Sequence, residues 1–294
     1  MGDDQGPTHT IGITGATGEI GGRVAARLAR RKVAQRLIVR DINRAPELPG
    51  ASAAMAAYEE TAAFERAAKG VDTLFLVSAT EAADRVDQHI SAVDAALAAG
   101  VTRIVYLSFL SAGPAAVFTF ARDHFFTEAH IRSTGVSFTF LRPSLYLDLV
   151  PSWIDDQRVI RGPAGQGRVA WVARDDVADA AAAVLAEGAA HDGRTYDLTG
   201  PEAVTLGQTV ERLSALVGTA IYYVPETWEE ALASRRPSGA PEWMIEGWAS
   251  SYAAIAAGEL DVVSTAVPDL TGRPARSIEG FLRKHPSALA HVRG

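Results

Sequence analysis

The chain has 294 residues, 48% of them hydrophobic and 21% charged, with 28 basic against 35 acidic side chains for a formal net charge of −7. That is enough apolar material for a sizeable core and excludes a wholly unfolded chain, while the acidic balance speaks against a nucleic-acid footprint. The lack of cysteine excludes disulfides, thiolate nucleophiles and thiolate-bound zinc, and no apolar run is long enough to predict a membrane span.

Residues 1–8 read as a loose acidic tail rather than a signal sequence, which points to a cytoplasmic protein. Thr10-Ile11-Gly12-Ile13-Thr14 predicts a short buried strand, Gly15-Ala16-Thr17-Gly18 a turn, and 19–31 a helix with Ile20, Val24 and Leu28 on one face. Apolar runs at Leu37-Ile38-Val39, Leu74-Phe75-Leu76-Val77, Ile104-Val105-Tyr106-Leu107 and Phe138-Thr139-Phe140-Leu141 predict further strands. Helical spacing fills the intervals over 61–69, over 82–99 with Val86, Ile90, Val93 and Leu97 along one face, and over about 115–134. Short apolar runs alternating with helices predict an α/β fold: a doubly wound parallel sheet with right-handed crossovers. Beyond about 150 the alternation weakens, and prolines and glycines punctuate the chain at Pro151, 162–167, Pro201, Pro225 and 237–241. Helices are expected over 175–187, 205–217 and 241–258, and a strand at Thr195-Tyr196-Asp197-Leu198. The organisation predicted is a Rossmann domain over 9–150, rejoined by about 170–200, and a smaller interleaved C-terminal lobe making up most of 151–294.

The sharpest motif is Thr14-Gly15-Ala16-Thr17-Gly18-Glu19-Ile20-Gly21, between the first strand and the first helix. Gly15 permits the tight turn, Gly18 leaves room for a pyrophosphate, and Gly21 lets the helix pack close to the sheet. The helix N-terminus then offers free N–H groups and a positive dipole end to phosphates. An acidic residue 19 positions after Gly21 would hold the ribose of NAD, but that position is Arg40, with Arg44 close behind. Planar guanidinium groups suit a 2′-phosphate, so NADP(H) is the expected cofactor, with NAD(H) second because Asp41 offers a carboxylate to a ribose hydroxyl.

With Val39-Arg40-Asp41, Leu107-Ser108-Phe109, Asp123-His124, Thr127-Glu128, Leu141-Arg142-Pro143, Tyr146 and the late Leu270-Thr271-Gly272-Arg273-Pro274, the chain resembles the NmrA-like branch of the atypical short-chain dehydrogenases over about 9–286. That branch includes NAD(P)H:quinone oxidoreductases, triphenylmethane-dye reductases and regulatory dinucleotide binders. The resemblance implies cofactor contacts from Thr14, Gly15, Thr17, Gly18, Ile20, Gly21 and Arg40, and from Ser78 and Ala79 at the end of the fourth strand. It adds Ser108 at the end of the fifth. Glu19 in the turn, Arg44 beside Arg40 and His124, stacked near the nicotinamide ribose, join the cofactor candidates. Where the family carries an acidic residue and a tyrosine near the adenine, this chain has Ala57-Tyr58, which leaves Tyr58 as the neighbour.

Ordinary short-chain dehydrogenases use Tyr-x-x-x-Lys. No tyrosine here has a lysine four residues later, and Phe120 and His124 match those positions. Lysine occurs only at 32, 69 and 284. The candidate catalytic groups are therefore His124, as hydrogen-bond donor or acid, Ser108, as orienter of a carbonyl, and Tyr146, as a pocket residue. The first two have a plain alternative: a helix histidine bonded to a carboxylate, a strand-end serine bonded to backbone. Met244, Trp248, Tyr252 and Ile255 share a helix face that reads more readily as core than as pocket, and Trp228 and Trp243 add aromatic surface. Asp175-Asp176 reads as an N-cap and dipole complement, Glu229-Glu230 as a solvated face, and no metal-ligand spacing is present. The expected activity is hydride transfer from NADPH to a quinone or another electron-poor conjugated acceptor. The alternatives are a redox sensor that binds the dinucleotide without turnover and a non-redox enzyme on the same fold. The partner expected is a small aromatic or quinone-like substrate, with no nucleic acid and no membrane, and the 82–99 and 115–134 helices offer a surface for a homodimer.

Overall fold

The computed structural model describes residues 9–292; the tail predicted over 1–8 lies outside them. In chain order the strands are β1 (Ile11–Thr14), β2 (Gln35–Val39), β3 (Ala51–Met55), β4 (Thr73–Val77), β5 (Arg103–Leu107), β6 (Ser137–Pro143), β7 (Val159–Gly162), β8 (Arg168–Val169), β9 (Arg194–Leu198), β10 (Val204–Thr205) and β11 (Tyr222–Pro225). The helices of the first half are α1 (Glu19–Arg30), α2 (Thr61–Ala68), α3 (Arg85–Ala98), α4 (Thr119–Ser133) and α5 (Arg174–Glu187). Those of the second are α6 (Leu206–Val217), α7 (Trp228–Arg235), α8 (Glu242–Ala256), α9 (Ala266–Thr271) and α10 (Ile278–Lys284).

Seven strands form one sheet in the order β3-β2-β1-β4-β5-β6-β9. Every pair from β3 to β6 is parallel, with Ile13 opposite Leu37 on one side and Phe75 on the other. The order reverses between β1 and β4, the place where open parallel sheets bind ligands beyond their strand ends. All four residues of β1 and all five of β5 are buried, as expected of strands covered on both faces. Strand β3 was not among the predicted apolar runs. Its Ala-Ser-Ala-Ala-Met sequence has no β-branched residue and lies at the sheet edge with most side chains partly or fully exposed.

Two compact units emerge. The first takes residues up to Ser108, His124–Leu141 and Val177–Tyr196; the second takes Phe109–Asp123, Arg142–Asp176 and the chain from Asp197 onward. In the first, Phe64, Leu74, Leu76, Val93, Tyr106 and Phe140 build a core under α2 and α3. The segment from Val177 is held to α1 by an ion pair of Arg27 with Asp179 and by Arg31 donating to the Ala182 carbonyl at 3.0 Å.

Helix α3 presents a different face from the predicted one. Its buried residues are Arg85, His89, Ala92, Val93, Ala95 and Ala96, while Val86, Ile90 and Leu97 are only half-buried. Alanines allow the helix to approach the sheet closely, and the two polar residues find hydrogen-bond partners inside, so burial follows packing distance rather than the apolar stripe.

In the second unit β7 pairs in parallel with β11 and β8 antiparallel with β10, and Trp171, Ile160, Leu206, Leu213, Ile255 and Phe281 lie in its core. The α8 stripe divides: Tyr252 and Ile255 are buried, Met244 is half-buried and Trp248 is exposed, as is Trp228. Trp243 meets Phe120 edge to face at 6.0 Å. Glu230 belongs to a capping box on α7, accepting from Thr227 N–H at 2.8 Å while Thr227 Oγ1 accepts from Glu230 N–H at 3.2 Å, so it is not merely a solvated charge.

Asp175 and Asp176 lie in the first turn of α5, where they complement the dipole, but neither is its N-cap. Asp176 is wholly buried. It accepts from Arg273 Nη1 at 2.8 Å, from the Arg276 guanidinium and from the Arg276 N–H at 2.7 Å, while Asp175 pairs with Lys284. These bonds fasten the Thr271–Lys284 stretch to the start of α5. Asp176→Ala is expected to lower the unfolding free energy by about 1.5–3 kcal/mol, because two half-buried guanidinium groups and the Arg276 N–H lose their charged acceptor. Urea titration checks this, and a loss under about 1 kcal/mol would refute the anchoring role.

Candidate functional site

The turn after β1 is shaped by what its glycines lack. Gly15 sits at φ +62, and a β-carbon on Gly21 would stand 2.3 Å from the Gly15 carbonyl oxygen. Gly18 N–H donates to that same carbonyl at 2.9 Å, and Gly22 N–H to Gly18 O at 3.0 Å. Gly18 is the N-cap of α1 and gives no side chain to cap it; Thr17, Gly18 and Glu19 are exposed, and Ile20 is buried. The first N–H groups of α1 therefore face outward from an open, side-chain-free cradle, which fits a dinucleotide's phosphates.

At the end of β2, Arg40 and Arg44 are exposed. Asp41 caps the short turn Ile42–Arg44 by accepting from Asn43 N–H at 3.0 Å, so this carboxylate has a structural partner. Two cations thus flank a carboxylate already engaged in shaping the turn.

Thr14 and Tyr58, expected at the cofactor, direct their hydroxyls into the fold. Thr14 is fully buried; its Oγ1 accepts from Val77 N–H at 2.8 Å and lies 3.2 Å from the Phe75 carbonyl. Tyr58 Oη stands 2.6 Å from Thr14 Oγ1 and 2.5 Å from the Val77 carbonyl. Desolvation pushes the Tyr58 phenol above its usual range, despite the Thr14 bond and the Arg40 charge, so it remains a neutral clamp between the ends of β1 and β4.

Past β4, Ser78 and Ala79 are half-buried. Ala79 N–H donates to Nε2 of the fully buried His89 at 2.8 Å, and His89 Nδ1 lies 2.8 Å from Thr127 Oγ1. A peptide N–H only donates, so Nε2 must accept and Nδ1 must carry the proton. Burial, and secondarily the Arg85 charge, lower the His89 pKa to about 3. The ring is neutral at ordinary pH.

A second run begins at Arg85, whose Nη2 lies 3.2 Å from His124 Nε2, with His124 Nδ1 2.9 Å from Tyr106 Oη. A guanidinium cannot accept, so His124 too carries its proton on Nδ1 and donates it to Tyr106. His124 is 5% exposed. This geometry disfavours the role of acid expected for it, because the nitrogen that would take up a second proton faces a cation. Tyr106, under 1% exposed, is pushed above the normal phenol range chiefly by desolvation. Ser108 donates to Glu128 Oε1 at 2.6 Å, and Glu128 Oε2 accepts from Arg132 at 3.1 Å. With its proton given to Glu128, Ser108 offers a ligand an acceptor rather than the donor expected to orient a carbonyl. Tyr146 belongs to the second unit, half-buried, with the Arg174 guanidinium 5.3 Å from its ring centroid and a parallel bridge to Val172.

The first unit thus gathers Thr14, Tyr58, Ala79, Ser108 and His124 at the C-terminal ends of β1, β4 and β5, together with Arg85, His89 and Tyr106, which the sequence reading did not assign to the site. The available signal was Arg85 and His89 one helical turn apart, but the apolar stripe drew attention to the neighbouring face. Among the described residues no group of acidic and histidine side chains could hold a metal ion, and no helix is long and apolar enough to cross a membrane.

The buried neutral His89 has a consequence for acid stability. Unfolding releases a ring that binds a proton near pH 6.5, whereas the folded one does so only near 3, so stability is full above 6.5 and falls as the pH drops below it. The wild-type unfolding free energy is expected to decline below pH 6.5, and His89→Gln to reduce that slope by up to about 1.4 kcal/mol per pH unit. Chemical denaturation between neutral and mildly acid pH measures both, and identical slopes would contradict the neutral ring.

The NAD(P)H-binding family model matches residues 15–188. The chain is 33% identical over 282 residues to the (4-alkanoyl-5-oxo-2,5-dihydrofuran-3-yl)methyl phosphate reductase of Streptomyces griseus, covering 95% of this chain and 98% of that one. It is 29% identical to the NAD(P)H azoreductase of Xenophilus azovorans, over 94% of this chain and 98% of that protein. The crystal structure of the NADPH-dependent quinone oxidoreductase QOR2 of Escherichia coli, complexed with NADPH, superposes with a TM-score of 0.86 at 31% identity, covering 94% of this chain and 99% of that one.

Proposed function

The chain belongs to the NAD(P)H-binding family, in the NmrA-like branch of the atypical short-chain dehydrogenases, and from that membership we propose that it reduces a conjugated, electron-poor small molecule with NADPH. A bound nicotinamide supplies the hydride and its two electrons. The outward-facing N–H groups of α1 hold the pyrophosphate, and Arg40 with Arg44 take the 2′-phosphate.

The observation that carries this reading is the inward commitment of the protons of Ser108 and His124. With those donors turned toward Glu128 and Tyr106, an isolated ketone would receive little help in stabilising an alkoxide. A conjugated acceptor spreads the incoming charge over its own carbonyl or nitrogen atoms, and water can protonate the resulting anion. The relatives' names describe such acceptors: a ring alkene flanked by oxo and alkanoyl groups, an azo bond and a quinone. Positioning against the nicotinamide then supplies most of the rate enhancement, without a Tyr–Lys pair.

Mixing the protein with NADPH and a panel of quinones and doubly activated enones is expected to consume NADPH, with simple ketones inert. Tight binding with no turnover on any acceptor would refute the reductase and favour a dinucleotide sensor. Arg40→Ala is expected to raise the Kd for NADPH roughly 10- to 100-fold while changing that for NADH about twofold or less, the range of a lost charge-assisted bond. Equal losses in fluorescence titrations would remove the 2′-phosphate assignment.

A further inference from the structure

The Ser78–Ala79 peptide has its orientation imposed from inside the first unit. Ala79 N–H points at His89 Nε2, 2.8 Å away, and every described peptide bond is trans. In a trans peptide the N–H and the preceding C=O point in opposite directions, so the Ser78 carbonyl faces away from the α3 ring that holds its partner N–H. His89 is not free to turn over: Nδ1–H is bound to Thr127 Oγ1 at 2.8 Å, and the ring is enclosed edge to face by Tyr58 at 6.1 Å and Tyr106 at 5.7 Å. Two bonds of fixed polarity, one to the exit of β4 and one to α4, therefore set a single rotamer and a single tautomer.

We propose that His89 is a positioning residue for the nicotinamide half of the cofactor, locking the Ser78–Ala79 peptide so that the Ser78 carbonyl is presented as an acceptor for a ribose hydroxyl or a carboxamide N–H. This rests on the reading that the β4 exit meets the cofactor, as strand ends beside the reversal of order do in such sheets. Without the His89 acceptor the Ala79 N–H would lose its partner, and the peptide would be free to turn its N–H outward and its carbonyl inward.

The two bonds can be separated by substitution. The oxygen of Gln reaches the place of Nε2, three bonds from Cβ, and the amide nitrogen of Asn reaches that of Nδ1, two bonds from Cβ. His89→Gln thus keeps the acceptor for Ala79, whereas His89→Asn keeps the donor to Thr127; each forfeits one buried bond, so losses in stability are comparable. Calorimetric titration with NADPH is expected to give a Kd within about threefold of wild type for His89→Gln and about tenfold weaker for His89→Asn, the cost of one ligand hydrogen bond. Binding of 2′,5′-ADP, which lacks the nicotinamide half, is expected to be unchanged in both. In wild type, NADPH is expected to slow amide exchange in the 78–80 segment. Absence of that slowing would overturn the placement of the cofactor at the β4 exit, and this proposal with it. Slowing in wild type, but equal NADPH affinities for the two variants or a parallel loss of 2′,5′-ADP binding, would leave the placement standing and overturn the role of His89.

Discussion

The missing side chain of Gly21 is the constraint on which the first unit is built. A β-carbon there would lie 2.3 Å from the Gly15 carbonyl oxygen, closer than any real contact, so α1 can close against the turn only with glycine at that position. That closure places the first N–H groups of α1 above the end of β1. It also leaves the neighbouring strand ends to be fastened from below, where Tyr58, Thr14 and the backbone of Val77 join β1 to β4. The cradle and the clamp are complementary: one keeps the upper surface bare, the other makes it stiff without side chains that would obstruct it.

Beneath the same strand ends lies a polar layer whose hydrogen bonds have a fixed direction. A peptide N–H at one end and a guanidinium at the other can only donate, and each forces the neighbouring imidazole to point its own proton toward the interior. A layer bonded in this way is rigid, and its His89 ring is neutral at ordinary pH. That rigidity suits the hydride transfer proposed for this chain, and where the Tyr-x-x-x-Lys pair of ordinary short-chain dehydrogenases would fall, α4 carries Phe120, His124, Thr127 and Glu128, of which the last three bond inward.

The parallel sheet and the phosphate turn were legible because both rest on local rules: apolar runs at strand length, and glycines where backbone must approach backbone. Strand β3 was not, since an edge strand needs few apolar side chains. The buried face of α3 was misread because Ala92 and Ala96 decide how near the helix comes to the sheet, while Val86 and Ile90 merely look more hydrophobic. Helix α7 announced itself in Thr227-Trp228-Glu229-Glu230, a capping-box pattern that the charge run concealed. The donors and acceptors around His124 and Ser108 lay beyond reach because tautomers and proton directions are set by partners distant in sequence.

Conjugated acceptors are electrophiles as well as oxidants, and they alkylate thiols and free amines. This chain has no thiol, and its three lysines are Lys32, Lys69 and Lys284. Lys69 follows α2 as its C-cap, Lys284 closes α10 and is held by Asp175, and Lys32 stands just beyond α1. All three thus stand at or just past the C-terminal end of a helix, and the whole stretch from 70 to 283 contains neither residue type. If the acceptor is of the conjugated kind proposed, it meets neither thiol nor lysine, the side chains it would alkylate most readily, anywhere between 70 and 283.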